Sequence, residues 1–422
     1  MEKLFSFLNN SITPYHAVKN IEIELKAKGF EELSEGTTWI IEKGKSYYVI
    51  KDQTSIIAFK VGNPERFNIV ATHTDSPCFK IKPNGIINGP FQVLNTEMYG
   101  GAVLASWFDR PLSVAGRVII KDGNNYLSKI VSVDKNLLVI PNTCPHLNPE
   151  INNGFKYNLQ TDLLPLFSGE EKYDSIYQYI YKDANIVSSD LYVYNPAKAT
   201  FIGANDEFIL APRIDNLECT AAALYSFLEA DNSDAINVMA CFNNEEIGSS
   251  TKQGAASNFL MDSLKRVMFA LEKTEEDYLK ALNHSVIVSA DNAHSVHPNH
   301  PEMSDPTNKV YMNKGLVIKR NANERYTTDA ISETIIVNAC EKAKVPYQYY
   351  TNRSNQRGGG TLGAISSSKV SITSVDIGLA QLAMHSSTET AGTKDYGYME
   401  KALKAFYESN FYRINDNQFQ IK

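Results

Sequence analysis

Ile236-Asn-Val-Met-Ala-Cys-Phe242 is an apolar run that stops at Asn243-Asn244 and gives way at once to Glu245-Glu246-Ile247-Gly248-Ser249. Seven residues of that character bounded by polar residues and a glycine read as a buried strand entering a turn. Two carboxylates at such a junction are costly unless something positive lies beside them. No Lys or Arg occurs within five residues on either side of the pair. A metal ion is therefore the first candidate partner, and its remaining ligands should sit on neighbouring strand ends.

Similar short runs recur at Phe67–His73, Ser285–Asp291, Gly315–Lys319 and Val370–Ile377. They alternate with helical apolar spacing over Leu217–Ala230 and Thr328–Lys344, and Tyr398–Arg413 reads as a closing amphipathic helix. This alternation implies an α/β fold with buried strands and helices on both faces of the sheet. Between about Ile86 and Gly203 the helical period fades. Arg117–Lys121 and Tyr126–Ile140 read instead as short strands around the turn Lys121-Asp-Gly-Asn-Asn125, which marks a β-rich insertion.

The chain has 422 residues, 43% of them hydrophobic, enough for two or three domains. A net charge of -7 and an isoelectric point near 5.7 offer no basic field for nucleic acid or an anionic membrane. The first ten residues make a poor secretory signal, and no apolar stretch approaches the roughly 20 residues that cross a bilayer. Five scattered cysteines without a Cys-x-x-Cys spacing fit reduced thiols in a cytoplasmic protein.

Five residues of ligand type lie near the ends of these strands or in the loops that follow: His73, Asp215, Glu246, Asp291 and His385. Zinc hydrolases use His nitrogen with Asp or Glu oxygen, and two-metal sites need a carboxylate shared between the ions. The carboxyl edge of an open α/β sheet is where such a site forms. Each residue alone has an ordinary alternative: a structural histidine, a helix cap at Asp215, a turn at Asp291, a solvated glutamate pair. Together they favour a metal centre.

The ordered motifs His73-Thr-Asp-Ser-Pro77, Ala211-Pro-Arg-Ile-Asp-Asn216, Asn243-Asn-Glu-Glu-Ile-Gly-Ser249, Ser289-Ala-Asp-Asn-Ala-His-Ser-Val-His-Pro298 and Met384-His-Ser386 closely resemble the aspartyl aminopeptidase family of dinuclear zinc aminopeptidases. Ile202-Gly-Ala-Asn-Asp-Glu-Phe208 and Lys319-Arg-Asn-Ala-Asn-Glu-Arg-Tyr326 extend the resemblance over nearly the whole chain. It implies an α/β zinc-peptidase domain, a mixed sheet flanked by helices, over residues 1–86 and 204–422, interrupted by a β-rich dimerisation domain over 87–203. It also implies two Zn2+ per subunit, with Mn2+ or Co2+ as substitutes. His73 and Asp291 would hold one ion, Glu246 and His385 the other, and Asp215 would bridge them. Glu245 would be the general base, with Asp75 orienting His73. The expected substrates are peptides with a free N-terminus, with Asp or Glu preferred there. The expected assembly is a tetrahedral dodecamer built from dimers.

Adjacent side chains on an extended strand point opposite ways, so Glu245 and Glu246 can share a site only across a local bend, to which Gly248 would contribute. His146, in Pro141-Asn-Thr-Cys-Pro-His-Leu147, reads from composition as a surface-loop histidine. The resemblance implies instead that it reaches the active site of a partner subunit and stabilises the oxyanion. His294 and His297 are candidates for lining the substrate pocket, or equally for hydrogen bonding behind the ligands. Lys319 is either a contact for an acidic substrate side chain or a solvated surface lysine. A related carboxypeptidase or deacetylase, and a non-catalytic assembly protein, are the competing classes. The inserted His146 segment and the intact Glu245 argue against them.

Overall fold

The computed structural model describes residues 1–181, 184–356 and 358–422. Its backbone is a nine-stranded mixed sheet whose four central strands run Ile236–Phe242, Phe67–His73, Val286–Ala290, Thr373–Gly378, parallel to one another and flanked by antiparallel neighbours on both sides. Every residue of the first three is buried, as expected where helices cover both faces. Alternation sorts their side chains between two cores. Val70, Met239, Cys241, Val286 and Val288 pack under helices Ile214–Glu229, Ala330–Ala343 and Asp395–Tyr407. Ile69, Ala71, Val238, Ala240 and Ile287 face the other way, toward helices Phe259–Ala270 and Glu275–Asn283.

The insertion is a six-stranded sheet, with neighbouring strands antiparallel, that starts at Cys78 and ends at Tyr194. Both limits fall earlier than the expected 87–203. Cys78–Ile87 pairs with Gln92–Tyr99, whereas Thr200–Ile202 pairs with Phe208–Ala211 and so belongs with the peptidase sheets. The expected turn near Asp122 is a two-residue hairpin loop, in which Gly123 takes φ +59 between the paired Asp122 and Asn125.

Two features differ from the sequence expectations. A five-stranded sheet of very short strands, including Phe208–Ala211, Glu389–Gly392 and Ala293–His294, lies beside the main one. The closing helix stops at Tyr407 rather than Arg413, because Phe411–Asn415 turns back in a hairpin onto Gln418–Ile421. Phe411 and Phe419 meet there with ring centroids 5.7 Å apart, so the apolar spacing that suggested more helix serves a hairpin.

Candidate metal centre

At the carboxyl ends of the parallel strands the chain places His73, Asp215, Glu246, Asp291 and His385 on one cavity of about 440 Å³. They form two groups, His73–Asp215–Asp291 and Asp215–Glu246–His385, in which the ligand atoms lie within 4.8 Å of one another. Asp215 belongs to both. Its Oδ1 lies 3.5 Å from His73 Nε2, which is 3.4 Å from Asp291 Oδ1. Its Oδ2 lies 3.4 Å from His385 Nε2, which is also 3.4 Å from Glu246 Oε2.

These separations are long for hydrogen bonds but match the edges of a tetrahedron, about 3.3 Å when ligands stand about 2.0–2.1 Å from zinc. Asp215 Oδ1 and Glu246 Oε1 are buried without any hydrogen-bond partner. Orphaned buried carboxylate oxygens are expensive unless a cation takes them. The donor set, nitrogen and oxygen without sulfur, fits a hydrolytic zinc site.

The local electrostatics point the same way. Burial, followed by Asp215, pushes the Glu246 carboxyl well above its usual range. Burial also raises Glu245; His73 opposes the rise and the Asp291, Asp75 and Asp215 carboxylates reinforce it. Burial would raise Asp215, but the adjacent imidazoles of His385 and His73 outweigh it and bring it down. Those contacts likewise lift His73 and His385 against the effect of burial. Carboxylates outnumber imidazoles, so the centre holds an excess of negative charge that a cation would relieve.

The bend at the glutamate pair begins before Gly248. Asn244 adopts φ +64, Glu245–Ile247 form a single 3-10 turn, and Gly248 follows at φ +95. Asp75 fixes that turn: its Oδ1 accepts the backbone N–H of Glu245 at 3.1 Å and its Oδ2 that of Glu246 at 3.2 Å. The same carboxylate is 3.4 Å from His73 Nδ1, which is nearer still, at 3.0 Å, to the Asp75 carbonyl oxygen. His385 is held from the insertion, with Nδ1 3.1 Å from the carbonyl oxygen of Gly101 and its own carbonyl accepting the N–H of Val103.

Lys319 is buried and lines the cavity, which excludes the solvated alternative. Its Nζ donates to the Asn292 carbonyl at 2.6 Å and lies 3.9 Å from Asp291 Oδ2. His294 also lines the cavity, with its ring 6.4 Å from that of Tyr350. His297 does not: it is exposed at the turn closed by its bridge to His300, and the two rings sit tilted with centroids 5.2 Å apart. His146 is exposed in its loop, away from the cavity of its own chain.

Sequence reasoning missed Glu389, a buried carboxylate that accepts the N–H of Asp215 at 2.9 Å and of His385 at 2.7 Å. The signal was available, since an acid four residues beyond His385 in Met384-His-Ser-Ser-Thr-Glu389 is a second charge in a buried segment.

Comparison with known proteins agrees with this chemistry. The family model described as Aminopeptidase I zinc metalloprotease (M18) matches residues 7–407. A probable M18 family aminopeptidase 2 of Clostridium novyi is 45% identical over 96% of this chain and 98% of its own length. A protein of the same description from Pseudomonas aeruginosa is 37% identical over 96% and 97%. Among solved structures, a complex of Ape4 with Nbr1 aligns with TM-score 0.93 at 34% identity, covering 96% of this chain and 84% of that one. The dodecamer of S. cerevesiae mApe1 aligns with TM-score 0.85 at 25% identity, over 96% and 95%. A match of that length, on a chain whose strand ends gather these ligands, makes this protein a member of the M18 family of zinc aminopeptidases.

Proposed function

We propose that the chain removes the N-terminal residue from peptides with a centre of two zinc ions, and that it prefers Asp or Glu at that position. The observation that carries the two-ion reading is Asp215, whose two oxygens face separate ligand groups and whose Oδ1 is orphaned. His73 and Asp291 would hold one ion, Glu246 and His385 the other, with Asp215 shared. When bound, the ions supply Lewis acidity, lowering the pKa of a water from 15.7 toward about 7, polarising the scissile carbonyl and binding the free α-amine.

Glu245 acts as general base. It takes the proton of the attacking water as the carbon–oxygen bond forms, then delivers it to the leaving amine as the carbon–nitrogen bond breaks. Asp75 keeps Glu245 and Glu246 aimed at the same place by holding both backbone N–H groups. The buried ammonium of Lys319 supports the acidic preference, because a carboxylate is its natural ligand within the cavity.

The exposed position of His146 supports a role in trans, donating to the oxyanion in a partner's cavity within a dimer or dodecamer. Mn2+ and Co2+ are expected to substitute for zinc. Among the described residues no helix is long and apolar enough to cross a membrane, and a cytoplasmic location is the reading we adopt.

The test uses aminoacyl chromogenic amides with Asp, Glu, Leu and Lys, before and after chelation and zinc return, on wild type and Glu245→Gln. Wild type should be zinc-dependent and fastest on the acidic amides, and the variant should lose roughly 10²–10⁴-fold in kcat while still binding zinc. Persistent activity in the variant would remove Glu245 from its role, and equal rates on Leu and Asp would remove the acidic preference.

A further inference from the structure

Tyr99 ends the strand Gln92–Tyr99 of the inserted sheet, yet its hydroxyl reaches Asp75 and Asn244 of the peptidase sheet, behind the metal ligands. It donates to Asp75 Oδ2 over 2.7 Å, the shortest of that carboxylate's contacts, and accepts from Asn244 Nδ2 at 2.8 Å. Both partners are buried, and each shapes the glutamate turn in a different way. Asp75 clamps the backbone of Glu245 and Glu246, while Asn244 is the left-handed residue that starts the bend. Asn244 is further tied by Thr251, whose Oγ1 donates to Asn244 Oδ1 at 2.9 Å.

We propose that Tyr99 is a positioning residue of the catalytic centre: acting through Asp75 and Asn244, it sets the turn that aims Glu245 and Glu246, so that the insertion helps build the metal site of its own chain. Asp75 is an acceptor on both oxygens, and no Lys or Arg donates to it among the described residues. Besides the His73 ring at 3.4 Å, its partners are the two backbone N–H groups and Tyr99, the only side-chain hydroxyl among them. Without that hydroxyl, Asp75 can rotate away from one N–H and the Asn244 amide loses its acceptor. Two residues further on, the Gly101 carbonyl meets His385 Nδ1, so one short segment of the insertion touches both halves of the centre.

This inference rests on the roles given above to Asp75, Glu245 and Glu246. It goes beyond them in assigning the inserted sheet a task that requires no partner subunit. The competing account is that Tyr99 is ordinary core packing, since it meets Tyr192 edge-on with centroids 5.8 Å apart.

Tyr99→Phe keeps the ring and deletes only the hydroxyl, and Tyr192→Phe is the control for packing. Zinc affinity of the metal-depleted proteins is measured by competition with a chromophoric chelator, and kcat and KM with Leu and Glu amides. Loss of groups that orient metal ligands typically costs 10–100-fold. Acting one contact further out, Tyr99→Phe should bind zinc roughly tenfold more weakly and lose about tenfold in kcat, with KM within about twofold of wild type. Tyr192→Phe should match wild type. The proposal is overturned if Tyr99→Phe keeps wild-type affinity and kcat, or if Tyr192→Phe loses as much. A wild type that neither binds zinc nor cleaves would instead sink the underlying two-zinc reading.

Discussion

Lys319 donates to the carbonyl oxygen of Asn292 across 2.6 Å, from a position 2% exposed to solvent. Asn292 cannot drift, because its Nδ2 donates to Glu218 Oε2 at 3.2 Å and Cys219 Sγ donates to its Oδ1 at 3.4 Å. The helix that carries Asp215 thus indirectly fixes the one lysine of the cavity lining among the described residues. An ammonium has three donors, and Asn292 uses one, which leaves capacity for a substrate carboxylate.

Replacing Lys319 by Met should therefore change selectivity more than chemistry. A hydrogen bond to a charged group contributes about 1.5–3 kcal/mol, so kcat/KM on Asp and Glu amides should fall by roughly 10–100-fold. The Leu amide should change by less than about threefold. Equal losses on all substrates would mean that Lys319 supports the fold of the site and takes no part in selection.

Glu389 answers to a different measurement. Its carboxylate holds the backbone of Asp215 and of His385, one residue from each side of the second ligand group. Glu389→Gln keeps one oxygen but turns an amide N–H₂ against a backbone donor, and it should weaken zinc binding by about tenfold or more. Glu389→Ala leaves two buried N–H groups unpaired and should destabilise the protein by roughly 2–5 kcal/mol in urea unfolding. Unchanged zinc affinity in the Gln variant would contradict the bracing role.

Acid sensitivity should come in part from His16, remote from the metal ligands in sequence. Burial, then the nearby Arg213, lowers its imidazole to about 4, while Thr13 Oγ1 sits 2.8 Å from Nδ1. The unfolded chain titrates near 6.5, so between these values it binds the proton that the folded chain refuses. Stability from the neutral His16 is thus complete above about pH 6.5 and is lost as pH falls toward 4, by roughly 2 kcal/mol at about pH 4.5. His16→Gln should remove that part of the acid loss. If urea unfolding shows the same gap between variant and wild type at about pH 7 and pH 4.5, His16 is not the source.

The strands were legible because each is an apolar run that ends abruptly in polar residues, as Phe67–His73 and Ile236–Phe242 do. Ligand types at those ends could then be gathered without coordinates. Proximity in sequence misled at His297, since the chain leaves the cavity after His294 and puts His297 on the exposed turn that it closes with His300. The five-stranded sheet escaped notice because strands as short as Ala293–His294 carry no period to detect. Tyr99 matters through contacts with segments distant in the chain, and nothing in its own surroundings reports them; Glu389 does lie four residues from its partner His385, but its hold on Asp215 is just as remote.

The insertion also has a cost during synthesis. Phe67–His73 carries the first ligand and is buried between Ile236–Phe242 and Val286–Ala290, both parallel to it. It leaves the ribosome long before either neighbour exists, with the whole inserted sheet still to be made. Parallel pairings across such separations form slowly, and an apolar strand with both edges open invites pairing between chains. Refolding yield from denaturant should accordingly fall as protein concentration rises, and the metal centre should be among the last parts of the molecule to form.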